Sequence, residues 1–146
     1  LDTSLKISID RIDLLEDGSY LIVDYKSSLQ NLSDWFGSHP KKPQLPLYAA
    51  FLPNNDGIGF AEVKKDNCRI NGLIRQVDKG VVNLDPNTRR PMNKEMNWDS
   101  QIEIWKETIL NLLKDFINGQ KEIELTSGSC KNCAFDSICR INSSGG

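Results

Sequence analysis

The chain has 146 residues, with 18 Lys and Arg against 20 Asp and Glu, a formal net charge of −2, and 38% hydrophobic and 26% charged residues. That is the length and composition of one globular domain with a core of its own, and it excludes a fibrous or intrinsically disordered chain. The mildly acidic balance argues against strong stand-alone binding to a polyanion; no apolar run reads as a signal peptide or a bilayer span, so a cytoplasmic setting is expected.

Strand character lies on both sides of Glu16-Asp17-Gly18. Residues 5–14 alternate apolar and polar in their first half, and Tyr20 to Tyr25 is rich in β-branched and aromatic residues. A three-residue loop with Gly at its third position predicts a type I turn followed by a left-handed bulge residue. That register pairs Leu15 with Ser19, sets Asp10 opposite Asp24, and leaves Lys26 on their face. A two-residue loop would put the two aspartates on opposite faces. Apolar residues on both faces of the hairpin predict a sheet covered on both sides.

Two facing carboxylates repel each other unless a cation lies between them. Magnesium takes oxygen ligands in near-octahedral geometry. The candidate ligands are Asp10, Asp24 and the backbone carbonyl of Tyr25, with manganese as the alternative ion. Such an ion would activate water and draw charge from a scissile phosphate. Lys26 would orient that water or stabilise the developing negative charge. Phosphodiester hydrolysis is the chemistry that fits. The structural alternative is a polar sheet edge in which Lys26 is merely the salt-bridge partner of the aspartates.

Beyond a polar loop, Pro43 to Phe51 predicts a short helix, with proline tolerated in its first turn and Pro53-Asn54-Asn55 ending it. Gln44 and Tyr48 share one face of that helix, although Leu45, Leu47 and Phe51 alone would account for a helix packed on the sheet. Lys41-Lys42, Lys64-Lys65, Arg69, Arg75 and Arg89-Arg90 each read first as solvated positions; of these Lys41 and Lys42, just ahead of the helix, are the best placed to meet a phosphate backbone. His39, the one histidine, has no nucleophile to serve.

Residues 59–65 and 68–74 read as a second hairpin joined at Asp66-Asn67. Cys68, at the start of its second strand, reads first as a small buried hydrophobe and second as a thiolate ligand. Residues 76–97 read as a long polar loop. Trp98, Ile102, Trp105, Ile109, Leu112, Leu113 and Phe116 recur at helical spacing, so a helix is expected over 98–118, capped by Asn97 and ended by Gly119. Its tryptophans belong to the core rather than to a base-stacking surface. Cys130, Cys133 and Cys139 form a C-x2-C-x5-C triplet suited to iron–sulfur or zinc, with a disulfide as the alternative.

Taken together, Ile9-Asp10-Arg11-Ile12-Asp13, Ile22-Val23-Asp24-Tyr25-Lys26-Ser27, Gln44-Leu45-Pro46-Leu47-Tyr48 and the cysteine-rich ending resemble the motifs of RecB/AddB-type members of the PD-(D/E)XK superfamily. The resemblance covers most of the chain. It implies an α/β, restriction-endonuclease-like core, a central mixed β-sheet flanked by α-helices, over residues 1–126. A cysteine-rich tail over 127–142 and a flexible end over 143–146 would follow. By position, Asp10 and Asp24 match the metal-binding acids, Lys26 the catalytic lysine, and Gln44 with Tyr48 the Q-x-x-x-Y element of the active site. Asp13 falls on the opposite face and is expected to pair with Arg11 or another neighbour.

The implied activity is metal-dependent hydrolysis of DNA in repair or recombination, alongside a helicase subunit or a fused helicase-like region. Such nucleases carry a further Glu or His on a helix upstream of the first aspartate, and a fourth cysteine upstream of the core. Neither is present between Leu1 and Asp10, so the chain is expected to be a fragment that binds magnesium weakly and cleaves poorly. A [4Fe–4S] cluster would likewise need its fourth thiolate from elsewhere. A non-catalytic module that keeps the fold to bind DNA or a partner is the competing reading; a scaffold built around the cysteine cluster is a third.

Overall fold

The computed structural model describes residues 4, 6–65, 67–75 and 97–120. The chain divides into two compact units, Leu1–Lys114 and Asp115–Gly146. In the first, four strands form one mixed sheet in the order β1 (Arg11–Leu14), β2 (Tyr20–Lys26), β3 (Asn55–Lys64) and β4 (Asn67–Ile74). β1 and β4 run antiparallel to their neighbours, while β2 and β3 are parallel. A parallel pair needs a crossover. Here it is made by a 3-10 turn at Leu32–Trp35 and by helix α1, Gln44–Phe51.

The first hairpin follows the turn chemistry written in Glu16-Asp17-Gly18. Gly18 sits at φ +82°, the left-handed region open to glycine at little steric cost. Leu15 N–H donates to the Ser19 carbonyl at 2.8 Å, and the ladder continues through Leu14↔Tyr20 to Arg11↔Val23. The ladder ends there; extended by one residue, the same register would set Asp10 opposite Asp24, as expected. β1 is shorter than the strand expected over 5–14. The Ser8 carbonyl is taken by the Tyr48 hydroxyl at 2.6 Å and the Tyr25 N–H by the Asp10 carboxylate at 3.2 Å, so side chains replace the ladder there. Asp13 does turn to the other face, where Arg11 grips it with two hydrogen bonds of 2.6 and 2.7 Å.

The second hairpin begins earlier than expected, at Asn55 rather than Gly59. Asn, Asp and Gly are weak strand formers, which hid this end. The glycines are required by close approach. A Cβ on Gly57 would stand 2.8 Å from Leu21 Cδ1, and one on Gly72 2.2 Å from the Ile58 carbonyl oxygen. Cys68 is exposed, not a buried hydrophobe; it lies beside the turn of the hairpin, opposite Val63.

Both faces of the sheet are apolar. Leu15, Leu21, Val23, Ala61, Ile70 and Ile74 form a buried cluster on one. On the other, Ile22, Ile58, Phe60 and Leu73 pack with Trp35, Leu45, Tyr48, Ala49, Trp98 and Trp105. The last two come from α2 (Trp98–Ile117). Its tryptophans are core residues, as their spacing implied. Trp98 and Trp105 donate their indole N–H groups to the carbonyls of Asn55 and Trp35, at 3.0 and 2.9 Å.

The Asn97 side chain caps α2 by accepting from Ser100 N–H at 2.8 Å. In the second unit α2 ends in a left-handed Gly119, with the N–H groups of Gly119 and Gln120 returned to the carbonyls of Phe116 and Asp115. The loop expected over most of 76–97 and the cysteine triplet lie outside the described residues.

Candidate active site

β2 delivers the central carboxylate. Leu21, Ile22 and Val23 are almost fully enclosed, so the strand that carries Asp24 is fixed from both faces, and Asp24 itself is only 4% exposed. A carboxylate that dry is costly unless something compensates its charge. Lys26, two residues on and therefore on the same face, brings its Nζ to 2.5 Å from Asp24 Oδ2. The approach is off the line of a hydrogen bond, and among the described residues no donor hydrogen-bonds that oxygen. The contact is thus an ion pair rather than an aligned hydrogen bond. The Lys26 ammonium also stands 6.0 Å from the centre of the Phe60 ring.

Asp10 completes the acidic pair. It lies just before β1, is exposed, and accepts the Tyr25 N–H through Oδ2. The Asp10 side chain is therefore tied to the backbone between Asp24 and Lys26. Two carboxylates, with the Tyr25 carbonyl beside them, form a set of hard oxygen donors, the chemistry that magnesium or manganese prefers over zinc or iron. Asp24 Oδ2, buried and met by a lysine rather than by an aligned hydrogen-bond donor, fits the same requirement. Among the described residues no group of three His, Cys, Asp or Glu side chains gathers as a closed cage, so any ion here would complete its shell with water and substrate.

Gln44 and Tyr48 share a face of α1 and are joined, Gln44 Nε2 donating to the Tyr48 hydroxyl at 3.1 Å. Tyr48 is buried and binds the Ser8 carbonyl, two residues before Asp10. The pair thus holds the lead-in to the first acid, beside a groove of about 380 Å³ lined by Lys6, Ile7, Ser8, Gln44, Leu47 and Tyr48. Lys42 turns inward: its ammonium donates to Gln30 Oε1 at 2.7 Å and lies 3.1 Å from Asp34 Oδ2. Lys41 is exposed.

One polar residue beside the site is not evident from the sequence. Glu62 on β3 is 2% exposed and faces Lys26 in the parallel register. Its carboxylate accepts from Gln30 N–H at 2.7 Å, Arg69 Nε at 2.8 Å and Asn71 Nδ2 at 3.3 Å. Burial works against its charge, yet these hydrogen bonds prevail and hold the carboxyl below its ordinary range. Its one signal was a glutamate inside an apolar strand, which gains meaning only once β2 and β3 are known to be paired.

A family model of the PD-(D/E)XK nuclease superfamily matches residues 2–140. The chain belongs to that superfamily. Its mixed four-stranded sheet flanked by two helices is the restriction-endonuclease-like α/β core expected from the motifs. Superfamily members hydrolyse phosphodiester bonds, typically with divalent metal ions, so this is a nuclease-type domain. No curated protein and no solved structure matches the chain. No helix among the described residues is long and apolar enough to cross a membrane.

Proposed function

We propose that this domain is the nuclease core of a RecB/AddB-type DNA repair or recombination protein that cuts DNA with magnesium or manganese. The observation that carries the reading is Asp24: a buried carboxylate with one oxygen in no hydrogen bond among the described residues, on the strand beside the one that Asp10 leads into, and paired with Lys26. A buried charge arranged in this way is expensive as mere structure and useful as a ligand.

In this reading Asp10, Asp24 and the Tyr25 carbonyl hold the ion, which supplies Lewis acidity toward phosphate and water. Lys26 exchanges its contact with Asp24 for the charge that develops on the phosphate oxygens. Gln44 and Tyr48 keep the chain ahead of Asp10 in place. The substrate is DNA, brought by an associated or fused helicase in the cytoplasm. Cys130, Cys133 and Cys139 supply three thiolates of a metal site, for iron–sulfur or zinc, which metal analysis of anaerobically purified protein would identify.

The test is Asp24→Asn and Lys26→Ala. Loss of a charge-stabilising group of this kind lowers turnover by roughly 10² to 10³. D24N should also lose manganese binding in calorimetry, while K26A keeps it. Undiminished cleavage by either variant would overturn the assignment.

A further inference from the structure

Lys26 is the last residue of β2, and the chain that leaves it must be anchored if its ammonium is to stay aimed at Asp24. The anchor lies four residues on, at Gln30. Its N–H is held by the Glu62 carboxylate at 2.7 Å, and its carbonyl accepts from Asn71 Nδ2 at 3.2 Å. Its side-chain oxygen accepts from Lys42, shortly before Gln44 opens α1. A single buried carboxylate on β3 therefore governs both the exit from the lysine strand and the approach to the glutamine helix.

The charge on Glu62 presents a second problem. Glu62 faces Lys26 in register on the neighbouring strand, a spacing of about 4.8 Å between backbones. An unneutralised carboxylate there would compete with Asp24 for the lysine. Arg69, directly across from Glu62 on β4, meets it with Nε at 2.8 Å. The lysine ammonium goes to Asp24 instead.

We propose that Glu62 is a positioning residue for Lys26, pinning the segment after it through Gln30, and that Arg69 neutralises Glu62 so that the lysine stays with Asp24. The proposal rests on the nuclease reading only for its effect on turnover.

It is tested on the full chain by Glu62→Gln, Arg69→Gln and the double variant, with manganese and DNA. E62Q frees the Gln30 segment, so kcat should fall about tenfold with KM within about twofold, as for a misplaced rather than missing group. R69Q should lower kcat as well, because a bare Glu62 then competes with Asp24 for the Lys26 ammonium. The double variant should be no slower than E62Q alone, because without the Glu62 charge Arg69 has nothing to neutralise. Equal kcat in wild type and R69Q would overturn the proposal.

Two readings need no turnover. In the wild type the Gln30 amide should be protected from hydrogen exchange, and in E62Q it should exchange at least about tenfold faster, as expected when a buried hydrogen bond is lost. An unprotected Gln30 amide in the wild type would sink the proposal even if E62Q failed to fold. A wild-type chain that did not cut would count against the nuclease reading alone, leaving Gln30 exchange to decide this one.

Discussion

Glu62 and Asp99 are both carboxylates held below their ordinary range, Glu62, against its burial, by Gln30 N–H, Arg69 and Asn71, and Asp99 by Arg75, yet they should matter to stability very differently. The Asp99 side chain is 69% exposed; Arg75 lowers its pKa from outside, against a small opposing effect of burial. A pair so wet is worth little, and Asp99→Asn should change unfolding free energy by no more than about 0.5 kcal/mol. Glu62 is dry and its three donors are fixed, so Glu62→Gln should cost about 2 kcal/mol at neutral pH. The direction with pH follows from linkage. A carboxyl depressed in the folded state stabilises fully above its unfolded value of about 4.3 and loses that contribution as pH falls through the lower folded value. Denaturant melts of wild type and E62Q should therefore differ at pH 7 and converge below about pH 4. A gap that stayed constant down to strong acid would mean that Glu62 acts through shape rather than charge.

At the scale of elements, the turn at 16–18 sets the register that brings Asp10 to Asp24. A methyl group added at Gly18 would meet nothing within 4 Å, so Gly18→Ala carries only the strain of φ +82°, about 1 kcal/mol. The same order of loss, about 1 kcal/mol, is expected for Asn97→Ala, which removes the cap of α2. Equilibrium unfolding of each variant checks both. These features were legible in the sequence because they are local: a glycine after two acidic residues, an asparagine before an amphipathic run, a Q-x-x-x-Y spacing. Glu62, Trp35 and the early start of β3 were not legible. Trp35 is fully buried in a turn that reads as polar loop, where it packs on Phe60 with ring centres 4.9 Å apart. Each depends on the parallel pairing of β2 with β3, a contact between segments about thirty residues apart that no local pattern announces. The inward turn of Lys42 has the same origin, since its partners Gln30 and Asp34 come together only when the crossover closes.

For the whole molecule, the site trades stability against function in a way that metal should reveal. Asp24 is buried with an oxygen that no hydrogen bond among the described residues satisfies, and Lys26, about one-third exposed, is its counter-charge. Replacing Asp24 by Asn removes the buried charge and lets the lysine rehydrate, so without metal D24N should melt within about 1 kcal/mol of wild type. With metal the two should part. An ion that binds the folded chain and not the unfolded one stabilises by RT ln(1 + [L]/Kd), about 2.7 kcal/mol at a hundredfold excess over Kd. For a domain of this size that corresponds to roughly 5–10 °C in Tm. Wild type should show that rise with manganese, D24N should not, and K26A should show it undiminished or larger because the competing cation is gone. Thermal melts of the three proteins over a manganese series measure this directly. Parallel rises in wild type and D24N would locate the ion away from Asp24, and with it the chemistry assigned to the hairpin.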